Sequence, residues 1–138
     1  MSSRPFGQGS IVAGRYRIIA PLGSGASARV FLADDLQLGR RVAVKVLHEA
    51  LAEDRTFLKR FKAEAHSAAA LNHPTVMHVY DSGDATVDEG PPLPFLVMEF
   101  VGGGSLRAVL DSGPPFSPSQ ALVVGLDAAR GLEYAHQH

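Results

Sequence analysis

The sequence contains no cysteine, which excludes disulfide bridges and thiolate metal sites at the outset. An excess of charge of one sign is also lacking. Thirteen basic residues stand against 14 acidic ones, a formal net charge of -1, and nothing in that balance points to a nucleic-acid or membrane-surface partner. No apolar run approaches the roughly 20 residues that cross a bilayer, and the longest aliphatic stretch, around Ala121 to Leu126, is far too short. The N-terminal residues Met1 to Ser10 lack the apolar core of a secretion signal. What is present is ordinary: 46% apolar and 20% charged residues over 138 positions suit one folded domain with its own core. A cytoplasmic protein with no membrane segment is the expectation.

Residues 1–13 are small and polar and are expected to be disordered. From Gly14 onward strand patterns dominate. Tyr16, Ile18 and Ala20 alternate with Arg15, Arg17 and Ile19, a glycine-rich turn follows, and Arg29 to Ala33 reads as a return strand. Asp34 to Gly39 is a turn, and Arg41 to Leu47 a valine-rich third strand. The period then changes: Phe57, Phe61, Ala65 and Ala68 fall on one helical stripe that stops at Asn72-His73-Pro74. A strand over Val76 to Tyr80, a long loop from Ser82 to Pro94 and a strand over Phe95 to Phe100 come next, ended by Gly102-Gly103-Gly104. Two helices close the chain. Ser105 caps the first, which ends at Gly113-Pro114. Ser117-Pro118-Ser119-Gln120 starts the second with Ser at the cap, Pro at the first helical position and Gln placed to bond back. Leu122, Leu126, Ala129 and Leu132 form its apolar face. Strands with one inserted helix, then helices alone, make an α+β arrangement of about five antiparallel strands.

Leu22-Gly23-Ser24-Gly25-Ala26-Ser27-Ala28-Arg29-Val30 carries a reduced G-x-G-x-x-G pattern with Ala28 in the third glycine position. Glycines let a backbone approach phosphates so that its N–H groups face the anionic oxygens. A tight hairpin would explain the motif about as well, so its context matters. A dinucleotide fingerprint needs a helix directly after the glycines and an acidic residue about 20 positions on. Here a strand follows, and that position falls at Ala43 to Lys45. The Gly-Lys-Ser/Thr of a Walker loop is absent.

In Val42-Ala43-Val44-Lys45-Val46, the strand period of two sets Ala43 and Lys45 on one face and the valines on the other. A small residue beside a cation suits a nucleotide, the alanine leaving room for a flat base and the lysine meeting its phosphates. Ordinarily a strand lysine simply reaches solvent; valines on both sides make that less suitable here. Glu64, 19 residues further on in Phe61-Lys-Ala-Glu-Ala-His66, is either a solvated helix charge served by Lys59 or Lys62, or the partner of Lys45.

This order of strand, glycine loop, strand and Val-Ala-Val-Lys resembles the nucleotide lobe of protein kinases, and bacterial eukaryotic-like Ser/Thr kinases in particular. Phe95 to Leu106 is similar to the strand and hinge joining the two kinase lobes. Leu71-Asn72-His73-Pro74 and Val79-Tyr-Asp-Ser-Gly83 also resemble segments of these kinases.

The resemblance implies a small ATP-binding lobe over residues 14–101 and the start of the helical lobe over 102–138. It implies that Lys45 orients the α- and β-phosphates, that Glu64 holds Lys45, and that Gly23 to Ala28 cover the phosphates. Leu22, Val30 and Ala43 would pack on the base, Met98 would sit behind it, backbone groups of Glu99 and Val101 would bond its edge, and Ser105 would lie near the ribose. ATP with Mg²⁺, protein substrates and a homodimer through the small lobe are implied as partners.

The family's catalytic H-R-D loop and its D-F-G metal aspartate do not occur in these 138 residues. The resemblance therefore implies that this polypeptide alone transfers no phosphate and holds no metal. A non-catalytic kinase-like module acting through protein contacts is the rival reading. The six histidines, at 48, 66, 73, 78, 136 and 138, lie in different elements without an acidic ligand at metal spacing, which favours solvent or capping roles.

Overall fold

The computed structural model describes residues 7–86, 92–102 and 106–138. Its elements fall into two units, Met1–Ala69 with His78–Phe100 and Ala70–Met77 with Val101–His138.

The first unit is built on one antiparallel sheet of six strands: β1 (Ile11–Val12), β2 (Tyr16–Ser24), β3 (Ala28–Asp35), β4 (Arg40–Leu47), β5 (Val79–Ala85) and β6 (Leu93–Glu99). Their spatial order is β1-β2-β3-β4-β6-β5. The valines of β4 explain why it sits inside. Val42, Val44 and Val46 are 0%, 0% and 3% exposed and join Tyr16, Ile18, Phe31, Ala33, Phe95 and Val97 in one apolar cluster. The second cluster unites Ala28, Leu47 and Leu96 with Phe61 and Ala65 of α1 (Arg55–Ala69). A 3-10 turn at Glu49–Leu51 leads into that helix, and the Asp54 carboxylate accepts the Thr56 amide at 2.9 Å, satisfying one of its first-turn donors. Phe57, Phe61, Ala65 and Ala68 share the inward stripe as their spacing predicts, with Phe61 and Ala65 buried.

Asp35 is the one buried charged residue among those described. It accepts Arg15 Nε at 2.9 Å and Nη2 at 2.8 Å, together with the amides of Gln37 and Leu38. The arginine bond lowers its pKa to about 2 against desolvation. Gly39 closes the same turn at φ +67°, donating its N–H to the Asp35 carbonyl at 2.8 Å. The Tyr16 hydroxyl donates to Asp81 at 2.7 Å, and burial and then that bond hold the phenol well above its usual range.

Three sequence expectations are corrected. Residues 7–13 are ordered rather than disordered: Ile11–Val12 pairs with β2, with Val12 1% exposed, so one buried valine in a polar stretch suffices to add a sixth strand to the five or so expected. The strand expected over Val76 to Tyr80 begins only at Val79, and it continues through Ser82, Gly83 and Asp84, whose residue types predict a loop. Those residues are poor strand formers, but they pair with β6, and the Phe95 ring lies over Gly83 where an added Cβ would meet it at 3.2 Å. The remainder of that loop, 87–91, lies outside the described residues.

The second unit holds α2 (Leu106–Ser112) and α3 (Pro118–Gln137). Ser117 and Gln120 form the reciprocal cap predicted, with bonds of 3.1 and 2.8 Å. Gly131 is the buried residue of α3 and faces Thr75, while the Tyr134 hydroxyl accepts the Asn72 amide at 2.9 Å. The apolar stripe of α3 is present but uncovered, with Leu122 and Leu132 63% and 60% exposed.

Candidate nucleotide-binding site

The pleat of the sheet sets Lys45 in a row across neighbouring strands. Gly23 pairs with Val30, Val30 with Lys45, and Lys45 with Leu96. The next row runs Ala20, Leu32, Ala43 and Met98. Directly opposed residues of antiparallel strands share a face, so Val30, Ala43, Lys45 and Met98 lie on one side of the sheet, the side that carries α1. The valines of β4 fill the other.

Across that face Lys45 Nζ stands 4.0 Å from Glu64 Oε2. The lysine side chain is 32% exposed and the glutamate 62%. The pair is loose and wet. At this separation and exposure it stabilises the fold by about 0–1 kcal/mol. The rival partner Lys62 is engaged elsewhere, 3.7 Å from Asp84, where it ties α1 to β5.

The glycine turn lies at the end of the same row. Leu22, Gly23, Ser24, Gly25 and Ala26 are exposed, and Ser27 is half-buried. Neither Gly23 nor Gly25 has a positive φ. An added Cβ would meet nothing within 4 Å at Gly23, and only the Ala28 carbonyl, at 3.9 Å, at Gly25. The fold itself thus gives no reason for glycine at either position. Ala28 differs from its neighbours: it opens β3, is 3% exposed, and packs in the cluster beneath α1, so its side chain serves the core.

Met98 and Glu99 end β6, both half-buried. The Glu99 amide already donates to the His78 carbonyl at 2.8 Å, and its Oε1 accepts the His78 amide at 3.3 Å. Val101 falls in the second unit, 55% exposed, and Ser105 lies outside the described residues. Among the described residues no three of His, Asp or Glu gather as a metal cluster, and no helix is long and apolar enough to cross a membrane. A hollow of about 340 Å³ between α1 and strands β5 and β6, bordered by Phe61, Ala65, Gly83 and Phe95, includes neither Lys45 nor Glu64. Sequence reading missed one contact of the site: the ring of His48, just past β4, bonds the Gly25 carbonyl at 2.8 Å. No local pattern announces it, because it depends on the register of β3 against β4.

A six-stranded antiparallel sheet with one helix across it, a glycine turn between the second and third strands, and helices following is the small lobe of a protein kinase and the start of the large one. The protein kinase domain family matches residues 16–138. Over 124 residues the chain is 47% identical to serine/threonine-protein kinase PknB of Mycolicibacterium smegmatis, and it is 44% identical to a probable serine/threonine-protein kinase of Streptomyces coelicolor. Each match covers 90% of this chain, but only 20% and 18% of the respective relatives. The crystal structure of the Mycobacterium tuberculosis PknI kinase domain aligns with a TM-score of 0.73 at 30% identity, over 96% of this chain and 51% of that one. The chain belongs to the protein kinase family. It spans about a fifth of the length of these curated relatives and about half of a solved kinase domain.

Proposed function

We propose that the chain is the ATP-binding part of a serine/threonine protein kinase that transfers the γ-phosphate of ATP to protein hydroxyls. The observation that carries this is the approach of Lys45 to Glu64 on the sheet face and row that lead to the glycine turn. A pair this exposed adds little to stability, so its value lies in holding a cation where phosphates would come.

Gly23 and Gly25 supply the approach, free of any packing duty of their own. Leu22, Val30 and Ala43 offer the apolar surface for the base, with Met98 beside Ala43. The Glu99 amide is spent on His78, so in this reading its carbonyl is the group offered to a base edge. Val101 and Ser105 enter by family resemblance alone. The described residues offer no cage for Mg²⁺. The same reading sets the protein in the cytoplasm, where ATP is held. It includes a homodimer through the sheet unit, supported by Leu36 and Leu38, 47% and 59% exposed on the β3–β4 turn; sedimentation of the chain tests that element.

Calorimetric titration with ATP and with adenosine tests the nucleotide reading. Lys45→Met weakens ATP binding about 10-fold, a difference of 1.4 kcal/mol, and leaves adenosine unchanged, because only ATP presents phosphates to the lysine. An ATP affinity that survives Lys45→Met removes Lys45 from the site.

A further inference from the structure

The peptide that follows Gly25 is held from outside the glycine turn. His48 is the first residue beyond β4, and it makes two bonds to that turn. Its amide donates to the Ser27 carbonyl at 2.9 Å, and its ring Nε2 meets the Gly25 carbonyl at 2.8 Å. A carbonyl oxygen can only accept, so Nε2 carries the hydrogen. Inside the turn, the Gly25 amide donates to the Ala28 carbonyl at 2.9 Å. The four-residue turn is therefore closed by its own backbone and pinned at two carbonyls by one histidine.

The consequence follows from the rigidity of the peptide unit. In a planar trans peptide the C=O of one residue and the N–H of the next point in opposite directions. Drawing the Gly25 carbonyl toward His48 turns the Ala26 N–H away from it. Ala26 is exposed, and its N–H has no partner among the described residues. A free N–H aimed out of a glycine turn is a donor for an anionic oxygen.

We infer that His48 is a positioning residue: through the Gly25 carbonyl it aims the Ala26 amide at the phosphates of a bound nucleoside triphosphate. The inference rests on the nucleotide reading proposed above. His48 itself touches no ligand.

The test uses the 138-residue chain in three forms: unchanged, His48→Ala and His48→Gln. Glutamine sets a side-chain N–H at about the same reach, so it restores the latch where alanine cannot. In calorimetric titration His48→Ala weakens ATP about 3- to 10-fold, the loss expected for one hydrogen bond. Adenosine binding is unchanged, and His48→Gln recovers most of the ATP affinity. Amide exchange of the nucleotide-free chain provides the second reading: exchange of the Gly25 amide, which the Ala28 carbonyl accepts, is faster in His48→Ala and normal in His48→Gln. Equal loss of ATP and adenosine, or no rescue by glutamine, overturns the positioning role. Exchange that is unaltered in His48→Ala overturns the latch itself, whether or not nucleotide binds. If the unchanged chain binds no ATP at all, the nucleotide reading fails and the positioning role with it, while exchange still decides the latch on its own terms.

Discussion

Asp35 is 1% exposed and ionised, and the arginine that pairs with it, Arg15, lies in the turn between β1 and β2. Because the fold lowers its pKa from 3.8 to about 2, the carboxylate form is favoured by folding. The stabilisation is therefore fully present above the unfolded value and is lost as pH falls from about 4 toward 2. Asp35→Asn should lower stability at pH 7 by about 1–3 kcal/mol, the worth of charge-assisted bonds to a buried group. The gap to the unsubstituted chain should narrow between about pH 4 and pH 2, as urea denaturation at each pH would show; a gap independent of pH would refute the assignment. The glycines of the turn make the opposite case. Gly25→Ala meets no steric obstacle, so its unfolding free energy should stay within the range of an ordinary surface substitution, about ±0.5 kcal/mol. Its ATP affinity should nevertheless fall several-fold by titration. A stability loss without an affinity loss would make Gly25 a structural residue only.

At the scale of elements, α3 shows how a helix can be locally encoded and still depend on one tertiary contact. An alanine at 131 would set its Cβ 2.6 Å from Thr75 Oγ1, which is fixed by a 3.0 Å bond with His73. Overpacking costs about 1–3 kcal/mol and helix propensity returns at most ~1. Gly131→Ala should thus destabilise the second unit on balance, and Thr75→Ala in the same chain should restore part of the loss, a comparison that thermal unfolding of the four proteins settles. The cap of α3 was legible because Ser117, Pro118 and Gln120 act within one turn. The strands β2 to β4 were legible from alternation, and the lysine–glutamate pair from resemblance followed by period. What escaped reading was non-local. Gly83 becomes a strand residue because Phe95 covers it, Val12 adds a strand because β2 offers an edge, and Ala28 leaves the turn because α1 packs upon it. Each depends on a residue far along the chain that no local pattern contains.

For the whole molecule, family membership and the residues present separate two properties. The groups assigned to nucleotide binding are in these 138 residues, whereas no H-R-D or D-F-G tripeptide is. Phosphoryl transfer depends on a positioned base and metal-held phosphates. The 138-residue chain should bind ATP and yet label no generic Ser/Thr substrate; Mg²⁺-dependent labelling above background that Lys45→Met abolishes would contradict this.

The order of strands also bears on how the sheet comes together. Strands β1 to β4 are successive antiparallel neighbours, each closing on the one before through a short connection. The strand β6 breaks that sequence by lying between β4 and β5, so its pairing with β4 must wait until the chain from Leu47 to Leu93 has been gathered in. Closing so long a loop costs entropy before any contact repays it. The glycine turn belongs to the part that can form first by local steps. The strand that ends at Glu99 belongs to the part that forms last, so the two sides of the proposed nucleotide site are expected to arise at different times during folding.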